Sequence, residues 1–297
     1  MMTRFWLLLT AITWTTTSFN TPARPPQKSA LQTIVIDPGH GGFDPGTHGL
    51  FSKEKNVTLA ISLKLGKAIK EAFPDIKIVY TRTTDIMPGN ASDIHEGLRY
   101  RAELANKSKG DLFICIHANS NGHPAGSYRE RHLTGHRWIK RRGKKIKVPV
   151  YSSKWVKNTT RGAGVYIWKA DRSSHKSEMI GEENMGDTTA VDEDSPEARI
   201  RAQLYEKKFF ANSAFFGMYI NDEFLKSGRQ SEGLLQRATG IWVLEATGMP
   251  SVLIETGYLT NKEEEIFLNS KTGQNKIVQN IVTALQKYNA SLEGNRP

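Results

Sequence analysis

Residues 33–42 read TIVIDPGHGG. Thr33–Asp37 is a β-branched, apolar run stopped by Pro38-Gly39, the pattern of a buried strand that ends at a turn. A histidine placed two residues past such a strand end sits where ligands gather in an open α/β sheet, at the carboxyl edge. The next segments repeat this rhythm. Val57, Ile61, Leu65, Ala68 and Ala72 recur at helical spacing and predict an amphipathic helix over Asn56–Phe73. Ile76–Thr81 predicts a second strand, and Asp93 followed by Glu96 offers a capping start for a helix to about Lys107.

LFICIH (Leu112–His117) predicts a third strand, Val165–Trp168 a fourth, and Ala198–Leu225 a long helix rich in aromatics. Ile241–Leu244 and Ser251–Glu255 read as two further strands, and Ile277, Val278, Ile281, Val282 and Leu285 mark a closing helix. Strands alternating with helices predict an α/β fold: a mostly parallel central sheet with helices on both faces. Residues 120–163 and 169–196 break the rhythm and read as two long insertions.

The chain has 297 residues, 38% apolar and 24% charged, which excludes collagenous, disordered and multi-span membrane classes. Its net charge of +11 invites a polyanionic partner. That charge is local. Residues 122–161 hold twelve Lys/Arg against the single acid Glu130, so the rest of the chain sums to zero. Residues 178–197 hold eight acids and no Lys or Arg. The main body is therefore not expected to bind nucleic acid. Cys115, the only cysteine, alternates with Ile114 and Ile116 and reads as a small core residue.

Arg4 precedes a largely apolar run, Phe5–Trp14, followed by a polar, Pro-rich stretch to Ser29. This is the layout of a secretory signal over residues 1–20 with a linker over 21–32, and the apolar run is too short to span a bilayer. Export to the periplasm or cell envelope, without a transmembrane anchor, is the expectation. The remaining organisation is a catalytic domain over 33–290 and a tail over 291–297.

Three predicted strands end in a metal-capable residue: the first at His40, the third at His117-Ala118-Asn119, the last at Glu255. Glu54 stands just ahead of the first long helix. Two imidazoles and one carboxylate suit catalytic zinc, with an open position for water. A further carboxylate that is not a ligand supplies the general base. His48, His95 and His123 are rival histidines; the first could approach a metal, and the other two read as surface residues. Asp37 reads as a turn or supporting residue rather than a ligand.

The segments IVIDPGHGG (34–42), KEKNVTLAISLKL (53–65), YTRTTD (80–85), LFICIHANS (112–120) and MPSVLIETGYLTN (249–261) stand in an order that resembles the zinc-dependent N-acetylmuramoyl-L-alanine amidases of the amidase-3 type. The resemblance implies that His40, Glu54 and His117 hold zinc and that Glu255 is the catalytic acid/base. It implies hydrolysis of the amide between muramic acid and the L-alanine of the stem peptide in peptidoglycan, in cell separation or wall turnover. Another zinc peptidase of wall peptides and a silent wall-binding regulator are the alternatives. Asn119 is expected to touch substrate or orient His117.

The basic block 122–161 departs from the family core. It reads as a clamp for anionic wall polymer, a partner-docking surface or a solvated, partly disordered loop. At 169–196 some relatives carry a regulatory element released by an envelope activator, so an acid from Glu178, Glu182, Glu183 or Glu193 is expected over the metal's open position. Glu232, standing where the family has a basic residue, puts substrate contacts there in doubt.

Overall fold

The computed structural model describes residues 29–168, 196–237 and 240–294. The expected leader, residues 1–20, and the acidic segment between Glu178 and Asp194 lie outside the described residues.

Six strands form the main sheet: β1 (Thr33–Pro38), β2 (Lys77–Tyr80), β3 (Leu112–Asn119), β6 (Ala163–Ile167), β7 (Ser231–Gln236) and β8 (Ser251–Tyr258), ordered β2-β1-β3-β8-β6-β7. β2, β1, β3 and β8 run parallel, whereas β6 pairs antiparallel with β8 and parallel with β7. The mostly parallel sheet expected from the sequence is present. Its helices are α1 (Glu54–Ala72), α2 (Ile94–Lys107), α3 (Pro196–Lys226), α4 (Trp242–Glu245), α5 (Lys262–Asn269) and α6 (Lys271–Gly294).

Period-two alternation divides the strand side chains between two cores. Ile34, Ile36, Ile114, Ile116, Val252 and Ile254 face α1, α3 and α6, meeting Ile61, Phe216 and Ile281. Val35, Phe113, Cys115 and Leu253 face α2 and α4, meeting Ala105 and Leu244. Both sets are buried, so the central strands read as unbroken apolar runs. At α2, Asp93 accepts from the Glu96 N–H while the Glu96 carboxylate accepts from the Ser92 N–H and hydroxyl. This fixes the helix start where the Asp93/Glu96 pair predicted it.

Two expectations need correcting. Trp242–Glu245 is a single helical turn rather than part of a strand over Ile241–Leu244. A run of four apolar residues carries no period, and Val243 and Leu244 reach the core on the α2 side of the sheet from a turn as well as from a strand. The block 122–161 is not a structureless loop: it holds β4 (Ser127–Arg141) and β5 (Lys144–Lys157), a two-stranded antiparallel ribbon separate from the main sheet. Arg142 and Gly143, at φ 48° and 77°, form its two-residue turn. No helix among the described residues is long and apolar enough to cross a membrane.

Candidate active site

The carboxyl ends of β1, β3 and β8 lie side by side, which brings His40, His117 and Glu255 to one edge of the sheet. Pro38 ends β1 and Gly39 turns back, its N–H donating to the Ile116 carbonyl at 2.9 Å. A Cβ on Gly39 would lie 2.5 Å from His117 Nε2, so only glycine admits that imidazole. His40 takes a left-handed φ of 60°, unusual for a side-chain-bearing residue.

Two buried arginines stabilise this turn. Arg101 donates to the Pro38 and His40 carbonyls at 2.9 and 2.8 Å, and Arg82 donates to the Gly39 and Lys55 carbonyls, both at 2.8 Å. Burial beside Arg101 lowers the Arg82 pKa to about 10. Asp37 is buried beneath them and accepts from Arg101, Thr81 and the Cys115 thiol. It is a support for the turn, in keeping with the sequence reading.

Glu54, the first residue of α1, is 4% exposed. Its Oε1 lies 2.8 Å from His117 Nδ1 and 3.1 Å from His40 Nε2, and accepts from the Ala118 N–H at 3.1 Å. Its Oε2 accepts from the Thr47 N–H at 2.8 Å. Burial opposes its charge, but the two imidazoles outweigh it and hold the carboxyl well below its usual range. Burial likewise works against charge on His40. Hydrogen bonds to Asp44 and Glu54 nevertheless raise its pKa to about 9.

One ligand atom from each of His40, Glu54 and His117 falls within 4.8 Å of the others, a set able to hold a metal ion. His40 Nδ1 lies 2.8 Å from Asp44 Oδ2, which turns its Nε2 toward Glu54. Among the described residues, the rival histidines stay out of this set: His48 and His95 are exposed, and His123 stacks on Tyr128.

Glu255 is the register partner of His117 across the β3–β8 pair. It is 6% exposed, and its buried Oε2 has no hydrogen-bond partner. Burial lifts its pKa to about 7 against the pull of His117. A carboxyl that is buried, unpartnered and poised near neutrality suits proton transfer. Asn119 Oδ1 accepts from the Ser120 N–H at 2.7 Å. Glu232, at the doubtful family position, accepts from the Tyr258 hydroxyl.

Asp44 was not singled out from the sequence, although an acid four residues after a candidate ligand was a usable signal. Glu265, on α5, gave none. Fully buried, it accepts from the N–H groups of Leu50, Phe51 and Ser52 and from the Ser52 hydroxyl at 2.8–2.9 Å. It thereby fixes the loop that delivers Glu54.

The probable N-acetylmuramoyl-L-alanine amidase AmiB of Haemophilus influenzae is 31% identical over 260 residues, 87% of this chain and 52% of the relative. AmiC of Escherichia coli is 27% identical over 258 residues, 86% of this chain and 52% of the relative. The chain spans about half the length of these two relatives. Among solved structures, the CwlD amidase from Clostridioides difficile in complex with the GerS lipoprotein superimposes with a TM-score of 0.56 at 22% identity, covering 88% of this chain and 99% of that one. The N-acetylmuramoyl-L-alanine amidase from Clostridium difficile 630 gives 0.55 at 22% identity, covering 90% and 100%. These two speak to the fold. The family described as N-acetylmuramoyl-L-alanine amidase matches residues 34–287, the span that contains every candidate ligand and Glu255, and the chain belongs to that amidase-3 family.

Proposed function

We propose that the protein is a zinc-dependent N-acetylmuramoyl-L-alanine amidase of peptidoglycan, exported to the periplasm or cell envelope and acting in cell separation or wall turnover. The observation that carries the reading is the convergence of His40, Glu54 and His117 beside the unpartnered carboxyl of Glu255. Two imidazoles and a carboxylate are the donor chemistry of a catalytic zinc site, and the buried, hydrogen-bonded surroundings of Glu54 and His40 fit it. Bound there, zinc supplies Lewis acidity toward the scissile carbonyl and lowers the pKa of water.

The protein's own groups do the rest. Glu255 accepts the proton of the attacking water on its carboxylate and returns it to the leaving alanine nitrogen. Asp44 keeps the His40 ring oriented, and Arg82 and Arg101 hold the turn that presents it. Asn119 lies at the same edge as a substrate contact. An envelope partner belongs to the same proposal, on the example of the CwlD–GerS pair.

The test is a digest of intact peptidoglycan with the zinc-supplemented protein, read by mass spectrometry beside a Glu255→Ala control. Free stem peptides beginning at L-alanine, absent from the control, are expected. Cuts confined to the interior of the stem would refute the amidase reading.

A further inference from the structure

The β4–β5 ribbon plays no part in the site described above, and its two faces differ. Residues directly paired across antiparallel strands share a face, and alternate residues along a strand do likewise. The register pairs Arg129 with Trp155, Arg131 with Ser153 and Leu133 with Tyr151. An irregularity between Leu133 and Gly135 resets the phase, so Trp138 with Lys147 and Lys140 with Lys145 fall on that same face. With Lys157, paired to Ser127 at the base, this face carries six of the ribbon's cations and no acid. The ribbon's one acid, Glu130, lies on the other face beside His132 and Lys154, at 2.9 and 3.7 Å.

The cationic face is open. Trp155 is 71% exposed and Trp138 66%. Arg131 lies over the Tyr151 ring at 4.3 Å, and Arg129 donates to the Ser153 hydroxyl at 2.6 Å. Together they line a hollow of about 350 Å³ with Ser152. No carboxylate among the described residues pairs with either arginine. Two guanidinium groups beside hydroxyls on an exposed face suit carboxylates, and exposed indoles offer flat apolar platforms to sugar rings.

The base of the ribbon adjoins the catalytic edge. It leaves directly after β3, the Gly126 N–H donates to the Thr260 carbonyl at 2.9 Å, and Leu50, two residues before Ser52 in the Glu54 loop, lies against Gly126. At about 3.4 Å per residue the strands extend about 45–50 Å from that point. A polymer lying along them would run into the site.

We propose that the Arg129/Arg131 face of the ribbon is a docking surface for peptidoglycan, binding the carboxylates of stem peptides that neighbour the one being cut. The inference rests on the amidase reading. A bilayer also attracts cations and tryptophan. An arginine pair with aromatics interleaved along a narrow two-stranded ribbon fits discrete carboxylates on a strand-like polymer better than a flat sheet of headgroups.

The test is co-sedimentation of the full chain with intact sacculi at 4 °C, in about 50 mM and 500 mM salt. Parallel arms use phosphatidylglycerol and phosphatidylcholine vesicles. The R129Q/R131Q variant should lose about tenfold in retention on sacculi at low salt, the effect of removing two charge-assisted contacts. R137Q/R141Q removes the same charge from the other face and should lose less than about twofold. W155S, a milder change on the docking face, should also weaken retention. Thermal unfolding of each variant checks that the fold is intact.

Equal losses from both arginine pairs, no loss from either, or retention on phosphatidylglycerol without retention on sacculi would each overturn the proposal. Hydrolysis of a soluble muramoyl-peptide fragment by the unaltered protein is read separately. If that fails while the face-specific retention holds, the amidase reading fails and the docking surface stands. If it succeeds while retention ignores the face, only the docking surface fails.

Discussion

Glu265→Gln changes one oxygen to an amide and leaves volume almost untouched, so it isolates a single electrostatic arrangement. The carboxylate accepts three successive backbone N–H groups and a hydroxyl, with Oε1 taking three of the four bonds and Oε2 the bond from Leu50. Hydrogen bonds to a charged group contribute roughly 1.5–3 kcal/mol each. In the variant the amide NH₂ must face at least one N–H, so a bond is lost and two donors confront each other in a fully buried place.

The expected cost is about 2–3 kcal/mol, which lowers the Tm of a domain this size by roughly 4–12 °C. The damage should also reach the metal set. Ser52 is followed by Lys53 and then Glu54, and the Gly49 N–H donates to the Ser52 carbonyl at 2.9 Å, so a loosened loop misplaces the Glu54 carboxylate. Zinc affinity, read by competition with a chromophoric chelator, should fall about tenfold. Urea unfolding in excess chelator measures the stability part alone. A variant within about 0.5 kcal/mol of the unaltered protein, with zinc affinity unchanged, would refute the reasoning.

Three further outcomes follow from the geometry. Glu255 has a folded pKa of about 7 against an ordinary 4.5, so between these values the unfolded chain sheds a proton that the folded one keeps. The Glu255 contribution to the stability of the metal-free protein should therefore fall as pH rises from 4.5 to 7 and level off above, while His40, whose pKa is raised to about 9, extends the overall loss toward pH 9. Glu255→Gln should gain about 3 kcal/mol at pH 8 and nothing at pH 4, and an equal gain at both would contradict the burial account. Stripping metal with a chelator should lower the Tm, and added zinc should restore it; His117→Ala should abolish the response to zinc. Gly39→Ala drives a Cβ against the His117 imidazole and should weaken zinc binding more than about tenfold, whereas Ala at the exposed tip glycine, Gly143, should leave it unchanged.

The parts legible in the sequence were those with a period or a sharp stop. β1, β3 and β8 are buried on both faces, so each is an unbroken apolar run ending in a polar residue, and those stops mark the catalytic edge. The ribbon was not legible because its alternation is of cations with aromatics and valines, with no apolar face buried under a helix to give a contrast. β7, SEGLLQ, is a half-buried edge strand too short to show a pattern. Asp44 carried a spacing signal, an acid four residues past His40, but its contact with Nδ1 depends on a turn whose path the structure supplies. Glu265 serves backbone groups 213–215 residues away, and no side-chain motif marks such a partner.

The ribbon enters and leaves the domain at one point: the Asn158 N–H donates to the Gly126 carbonyl at 2.9 Å, so its two ends already sit a hydrogen bond apart. An insertion with adjoining ends adds little closure entropy and imposes no shift on the sheet beneath. It is thus a separable part, removable or replaceable at one seam without disturbing the sheet beneath. For an engineer the same seam is a graft point, where a ribbon of different charge can be exchanged while the sheet that carries His117 and Glu255 stays as it is.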